Sequence, residues 1–358
     1  LIVGGGIAGL ALSRALHNHG LDSAVVERNP GPDSHGAGLY LPANAMRALG
    51  QLGVGDAIMD VAHPIRGQHF LDHRGRKLTE VDLDGFWGGV GTCLAMRRAA
   101  MAEVLFKAAH ADIRHGLTVS AMEAGEEVQV SFSDNTSATY DLVVGADGIG
   151  SRIRSFLGGP EPRRVGQISW RFLASGFPEL SDWIVRLGPG RAFLTVALGN
   201  GEVYCYADLN MANPEQVAPS DWRKEFADFA PPVPALLAQA TDPYFDYIDE
   251  VSPPKWVSGR IALMGDAAHA SSPNMAQGAA MAIEDALVLA ECLATEPTID
   301  EALTIYERRR SPRVDWMQKE THRRDKTRSL PPFIRNLTLR VAGERIYASN
   351  YRPLLAPP

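Results

Sequence analysis

The chain has 358 residues, 45% hydrophobic and 22% charged, a globular composition with room for one large or two modest cores. Its 35 Lys and Arg against 42 Asp and Glu leave a net charge of −7, so no overall positive field exists to draw in nucleic acid or an anionic bilayer, and neither is expected as a partner. Cys93, Cys205 and Cys292 are far apart, with no CxxC or Cys/His spacing; this excludes a disulfide framework and a zinc site, no metal is expected, and the pattern fits the cytoplasm.

The sequence opens at Leu1-Ile2-Val3 straight into glycines, without Met, short for a strand, so a few upstream residues are expected. Residues 1–27 read as strand, glycine turn, helix with apolar Leu10, Ala11, Ala15 and Leu16, and second strand, a βαβ opening. A helix is expected over 42–60 around Met46, Leu49 and Leu52, a hairpin over 66–82, and a helix over 98–109. Short strands follow near 118–124, 127–133 and 139–145. From 164 to 210 the pattern changes to alternation with Trp170, Phe172, Trp183, Phe193, Tyr204 and Tyr206, the mark of a separate, mostly antiparallel sheet. The prolines at 231–234 bound a helix, and a strand at 260–264 precedes helices at 278–294 and 299–326. Glu284, Asp285 and Glu291 interrupt the most aliphatic helix, leaving no run near the ~18 apolar residues that cross a bilayer. The expected organisation is a discontinuous nucleotide-binding unit of 1–163 and 255–325, with the hairpin 66–82 as a small insertion, a sheet unit of 164–254 for substrate, and a C-terminal segment, 326–358.

Gly4-Gly5-Gly6-Ile7-Ala8-Gly9 places GxGxxG between strand and helix, and Glu27 closes the second strand. Glycines there permit a tight turn, let a pyrophosphate approach the backbone and allow close helix packing, while the acid suits an adenosine ribose. NAD and FAD both use this arrangement. Two more segments narrow the choice: Ala146-Asp147-Gly148 with Ser151 and Arg154, a DGxxSxhR pattern after an apolar strand, and Leu263-Met264-Gly265-Asp266, ahead of Pro273 and Gln277-Gly278.

In this order the three segments resemble the single-component FAD-dependent aromatic hydroxylases, the para-hydroxybenzoate hydroxylase-like flavoprotein monooxygenases. Gly36-Ala37-Gly38-Leu39-Tyr40-Leu41-Pro42-Ala43-Asn44 and Met275-Ala276-Gln277-Gly278-Ala279 are similar to loops of the salicylate- and hydroxynicotinate-type subgroup. Many relatives carry a basic residue where this chain has Ser34-His35, and a glycine where it has Ala276. The resemblance implies an α/β fold, a Rossmann-type FAD-binding domain with an inserted, mostly antiparallel β-sheet substrate domain. It implies that FAD is held by Gly4, Gly6, Gly9, Glu27 with Arg28 beside it, Arg98, Asp147, Gly265 and Asp266, with Pro273, Gly278 and Ala279 near the flavin ring. It also implies NADH or NADPH as transient reductant and O2 as co-substrate, with oxygen delivered to an aromatic or heteroaromatic small molecule through a flavin C4a-hydroperoxide.

Physical reasoning adds that a helix starting at Gly278 would aim unpaired N–H groups at its ligand and favour negative charge there. Arg171 on an alternating strand is a candidate for holding a carboxylate or phenolate; the subgroup resemblance implies Tyr40 for the pocket, near the flavin ring, and with Pro273 they form the candidate catalytic set. His269, beside small residues, reads as a packed core histidine. The alternatives are an epoxidase or other oxygenase of the same fold, an NAD-dependent dehydrogenase, and a noncatalytic flavin-binding protein.

Overall fold

Ile2, Val25, Val26, Val143, Val144, Ile261, Ala262 and Leu263 are almost wholly inaccessible to solvent, as parallel strands covered on both faces require. In the structure, a computed structural model that describes residues 1–31, 37–213, 216–253 and 255–358, they form a six-stranded sheet. Its order is Val257–Ser258, Ile261–Leu263, Val143–Gly145, Ile2–Val3, Ala24–Glu27, Asp112–His115, and only the Val257–Ser258 edge runs antiparallel. Helix Ile7–Asn18 packs against both Arg98–Ala108 and Gly278–Thr295, so the N-termini of the first and last of these helices come to one end of the sheet.

The alternating segments build a second sheet of seven strands, in the order Tyr244–Glu250, Arg163–Ser175, Glu202–Asn210, Arg191–Gly199, Trp183–Gly188, Gly67–Asp72, Lys77–Asp82. The hairpin at 66–82 therefore does not stand alone beside the nucleotide unit: Gly67–Asp72 pairs in parallel with Trp183–Gly188 and completes the other sheet. Local periodicity shows that a strand exists but not which distant strand it joins. One face of this sheet carries Trp170, Phe172, Phe193 and Cys205 into a separate core with Trp222, Phe226, Phe229, Val233 and Leu236, where Trp170 stacks on Trp222 at 4.8 Å. The other face looks toward the six-stranded sheet.

Two expected elements divide. The helix at 42–60 becomes Ala43–Gln51 and Gly55–Met59, because Gly53 takes φ +77°, the left-handed turn that ends helices. The strand at 139–145 becomes Ser137–Tyr140, in a three-stranded meander, and Val143–Gly145, in the central sheet. The C-terminal segment is a helix, Pro332–Tyr351. Its Gly343 lies so close to Thr79 that a Cβ would fall 2.5 Å from the threonine methyl, and its Tyr347 hydroxyl accepts the Trp87 indole N–H at 2.9 Å. No helix among the described residues is long and apolar enough to cross a membrane.

Candidate active site

The three motif glycines do three different things. Gly4 has φ +114° and a Cβ there would fall 2.3 Å from the Ala146 carbonyl oxygen; at Gly9 it would fall 1.9 Å from the Gly4 carbonyl oxygen. Those two are demanded by backbone approach within the protein. At Gly6 a Cβ would meet nothing within 4 Å, and Gly6 lines a cavity of about 510 Å³, inside the range of small-molecule sites. Gly6 is also the N-cap of Ile7–Asn18, with neither a capping side chain nor an acid in the first turn, so the first N–H groups are left for an anion. Glu27 accepts the Gly5 N–H at 2.7 Å on one oxygen and the Asn29 N–H at 2.8 Å on the other, keeping further lone pairs for hydroxyl donors. Arg28 is exposed and does not line the cavity.

Of the neighbouring pair Arg97 and Arg98, the first turns outward, its Nε donating to Glu202 at 2.9 Å, and Arg98 lines the cavity. Asp147 does not line it, whereas Ala146, Gly148 and Ile149 do. The Asp147 carboxylate accepts the Ser151 hydroxyl at 2.5 Å and the Arg152 and Ile153 N–H groups at 2.7 and 3.2 Å; burial pushes its pKa up against those bonds. It thus ties the DG turn to the start of Arg152–Phe156. Arg154, 1% exposed, donates to the carbonyls of Pro160, Ala267 and Ile149 at 2.9, 3.0 and 2.6 Å, so the motif arginine fastens the DG segment to the GD segment.

Gly265, φ +57°, leaves room for Ala8, whose Cβ would lie 2.9 Å from a side chain at this position. Its N–H donates to Asp285 at 3.0 Å, the hub of a buried ionic network. His269 Nε2 meets Asp285 at 2.7 Å, Arg310 donates to Asp285 at 2.7 Å and to Glu284 at 2.9 Å, and Arg313 donates to Glu284 at 2.8 Å. His269 is thereby a packed core residue, as its small neighbours suggested. Asp266, next along, is exposed and lines the cavity beside Gly278.

Helix Gly278–Thr295 also begins without a capping side chain or first-turn acid, and Gly278 and Ala279 line the cavity. Upstream, Pro273 lines it too, its carbonyl accepting the Ala276 N–H at 2.9 Å, and Ala276 sits at φ +50°. A side chain in that left-handed region is strained by roughly 1–2 kcal/mol, more when β-branched. Ala276→Gly is therefore expected to fold at least as stably as the parent and Ala276→Val to lose about 2 kcal/mol or more, measured as shifts of the urea midpoint; equal midpoints would contradict this backbone.

The remaining wall is one face of the seven-stranded sheet, and register explains it. Gln68, Trp183, Val196 and Tyr204 are cross-strand neighbours, and so are Phe70, Val185, Leu194, Tyr206 and Arg171 in the parallel row. Side chains alternate faces along each strand, so all nine point one way, and all nine line the cavity. Arg171 faces the cavity while Trp170 faces the other core. Burial disfavours its charge, but Tyr204, Tyr206, Asp246 and Tyr244 more than restore it, and its guanidinium lies 5.6 and 5.7 Å from the Tyr206 and Tyr244 rings. Tyr204 and Tyr206, visible in the sequence only as part of an alternating aromatic pattern, are cavity residues. Gly38 is a glycine because Tyr204 packs on it, 2.4 Å from where a Cβ would be. Tyr40 is buried, tilted on Trp183 at 4.5 Å, and burial, with Cys93 beside it, pushes its phenol well above the ordinary range; it is neutral. The Ser34-His35-Gly36 part of its loop lies outside the described residues. Gln68 was not singled out in the sequence and Trp183 only as an alternating aromatic, neither as a cavity residue; for Gln68 the available signal was a polar residue on the buried register of the hairpin.

Two anion-ready helix ends, an open glycine and the Asp266 carboxylate on one cavity wall suit a dinucleotide with a long polar linker. The family described as FAD binding domain matches residues 1–199 and 248–321. Aurachin C monooxygenase/isomerase of Stigmatella aurantiaca is 33% identical over 325 residues, 86% of this chain and 83% of that one. The 2-heptyl-3-hydroxy-4(1H)-quinolone synthase of Pseudomonas aeruginosa is 31% identical over 334 residues, 90% of this chain and 87% of its own. The crystal structure of Klebsiella pneumoniae HpxO complexed with FAD and uric acid superposes with a TM-score of 0.91 at 28% identity, covering 100% of this chain and 97% of that one. A shared fold of this extent and the motif order of the sequence agree, and the chain belongs to the FAD binding domain family as one of its single-component FAD-dependent aromatic hydroxylases.

Proposed function

We propose that this chain places one oxygen atom of O2 on a heteroaromatic ring bound under the seven-stranded sheet, at the expense of NADH or NADPH. Bound FAD supplies the reductive activation of O2; the protein holds, orients and dries. Residues 1–163 and 255–325 carry the cofactor side. Gly6 and the first N–H groups of Ile7–Asn18 take the pyrophosphate, with Gly4 and Gly9 shaping that turn, and Glu27 takes the adenosine ribose. Arg98 and Asp266 meet the polar linker. Asp147 and Gly265 act by holding their turns in place, and Pro273, Gly278 and Ala279 face the ring system, where the helix end favours negative charge.

Residues 164–254 carry the substrate side, completed by Gly67–Asp72 and Pro332–Tyr351. Arg171 supplies a fixed positive charge for an anionic oxygen, Tyr40 a neutral wall, and Phe70, Val185, Leu194 and Val196 the apolar surface that excludes water around the reacting atoms. The observation that carries this reading is that the glycine turn, Asp266, the Gly278 helix end and Arg171 line one cavity. The quinolone and uric acid in the names of its relatives are nitrogen heterocycles, which supports a ring of that kind here.

The test is a panel of hydroxypyridines, quinolones, purines and benzoates added to the FAD-loaded protein, scored for accelerated NADH or NADPH loss and for label from 18O-enriched O2 in the product. Acceleration with label by a heterocycle is expected. A protein that keeps its flavin while no ring compound accelerates the loss would refute the proposal, and an alkene that gains the label instead would assign epoxidation.

A further inference from the structure

Gln68 is wholly buried, lines the cavity, and neither its Nε2 nor its Oε1 has a partner in the protein; the indole N–H of Trp183, its neighbour across the parallel strand pair, is likewise unpartnered. Buried amides are almost always bonded, and a primary amide offers a donor and an acceptor side by side. Water satisfies such groups in an empty cavity, and a ligand that displaces it must reproduce its bonds. The complement of a side-chain amide is an adjacent donor and acceptor, such as a ring N–H beside a C=O; a glutamine grips the edge of adenine by the same donor–acceptor match. A carboxylate has no hydrogen to give Oε1, and a phenol presents both functions on one atom.

The position in the sheet limits what Gln68 shares with Arg171. Four strand steps separate them, about 19 Å of backbone at the usual strand spacing, with Val196, Leu194, Tyr204 and Tyr206 between. They mark a neutral and a cationic end of one cavity.

Resting on the reading above, we propose that Gln68 is a specificity residue for a ring lactam. Its Oε1 accepts the ring N–H, its Nε2 donates to the ring carbonyl, and Trp183 Nε1 gives that oxygen its second donor. The substrate class is a neutral heterocycle carrying a cis amide in the ring, as in 2-pyridones and 2-quinolones.

The probes are 2-quinolone, 1-methyl-2-quinolone and quinoline-2-carboxylate, titrated into FAD-loaded protein by tryptophan quenching and by perturbation of the flavin absorption band. The parent lactam is expected to bind at least about tenfold more tightly than its N-methyl derivative, with the carboxylate weaker again. Gln68→Met, similar in volume, is expected to erase the difference while keeping flavin content and melting midpoint. Equal binding of lactam and N-methyl lactam by the parent protein, or a difference that survives in Gln68→Met, would overturn the proposal; should that variant lose flavin, the comparison in the parent protein decides alone. If phenols or carboxylates accelerate NAD(P)H loss while lactams do not bind, the lactam assignment falls and oxygenation stands. If lactams bind with the expected preference and no ring compound accelerates the loss, oxygenation falls and the assignment stands.

Discussion

Gly9→Val should abolish flavin retention by breaking the fold around the site, whereas Gly6→Ala should weaken flavin binding in a protein that remains folded. Both positions belong to one six-residue motif, yet their surroundings differ. A Cβ at Gly9 would lie 1.9 Å from the Gly4 carbonyl oxygen and 3.1 Å from its carbon, backbone atoms that cannot swing aside, so Ile7–Asn18 would have to lift from the first strand. We expect a loss of about 4 kcal/mol or more, seen as a large drop in melting midpoint even before flavin is added. At Gly6 the space is open and φ is −81°, so alanine costs the fold about 0.5 kcal/mol or less. Its methyl instead occupies the cavity side, where the proposed pyrophosphate site lies. A Gly9→Val protein with the parent's midpoint, or a Gly6→Ala protein that binds FAD as before, would contradict the division of labour within the motif.

Arg310→Met should be the most damaging change away from the cavity. Arg310 is fully buried between two fully buried carboxylates, and removing it leaves Glu284 and Asp285 with less compensation than their desolvation requires, a cost of about 3–5 kcal/mol. The pH dependence should change as well. Burial would push the Asp285 carboxyl up, but His269 and Arg310 outweigh it and hold it at about 2, against about 3.9 in an unfolded chain. A depressed carboxylate contributes stability that is fully present above the unfolded value and is lost as the pH falls toward 2. Without Arg310 the Asp285 pKa rises and acid unfolding should begin at higher pH. Because Asp285 also holds the Gly265 N–H, the variant should release flavin in parallel. Urea titrations across the acid range read both effects, and a loss below about 1 kcal/mol at neutral pH would show that the network is not coupled as drawn.

Individual residues show how far the linear pattern reached. The turn of Gly4, Gly6 and Gly9 was legible because strand, turn and helix are contiguous and their chemistry is local. Arg98 was named by resemblance alone, and the physical reason that it rather than its neighbour Arg97 faces the cavity lay outside the local pattern: it depends on Glu202, over a hundred positions away, which draws Arg97 outward. Asp147 was legible as an important acid but not as one that holds a turn through Ser151 and two N–H groups. Tyr204 and Tyr206 alternate visibly, and alternation says that they share a face without saying whether that face meets a core or a cavity. The hairpin strand was expected, but its membership of the seven-stranded sheet, and with it the place of Gln68, came from pairing with Trp183–Gly188.

By itself the sequence determined the nucleotide-binding opening, the order of the three cofactor segments, the change from buried parallel strands to an alternating sheet, and the class of chemistry these imply. Those features rest on interactions a few residues apart or on periodicity, which a linear string records in full. Only the tertiary structure decided which side chains face the common cavity, which acids are spent inside the protein, and which buried amide was left without a partner. Those outcomes depend on strand pairing and close approach between segments up to hundreds of residues apart, where burial and hydrogen bonding are properties of the assembled fold.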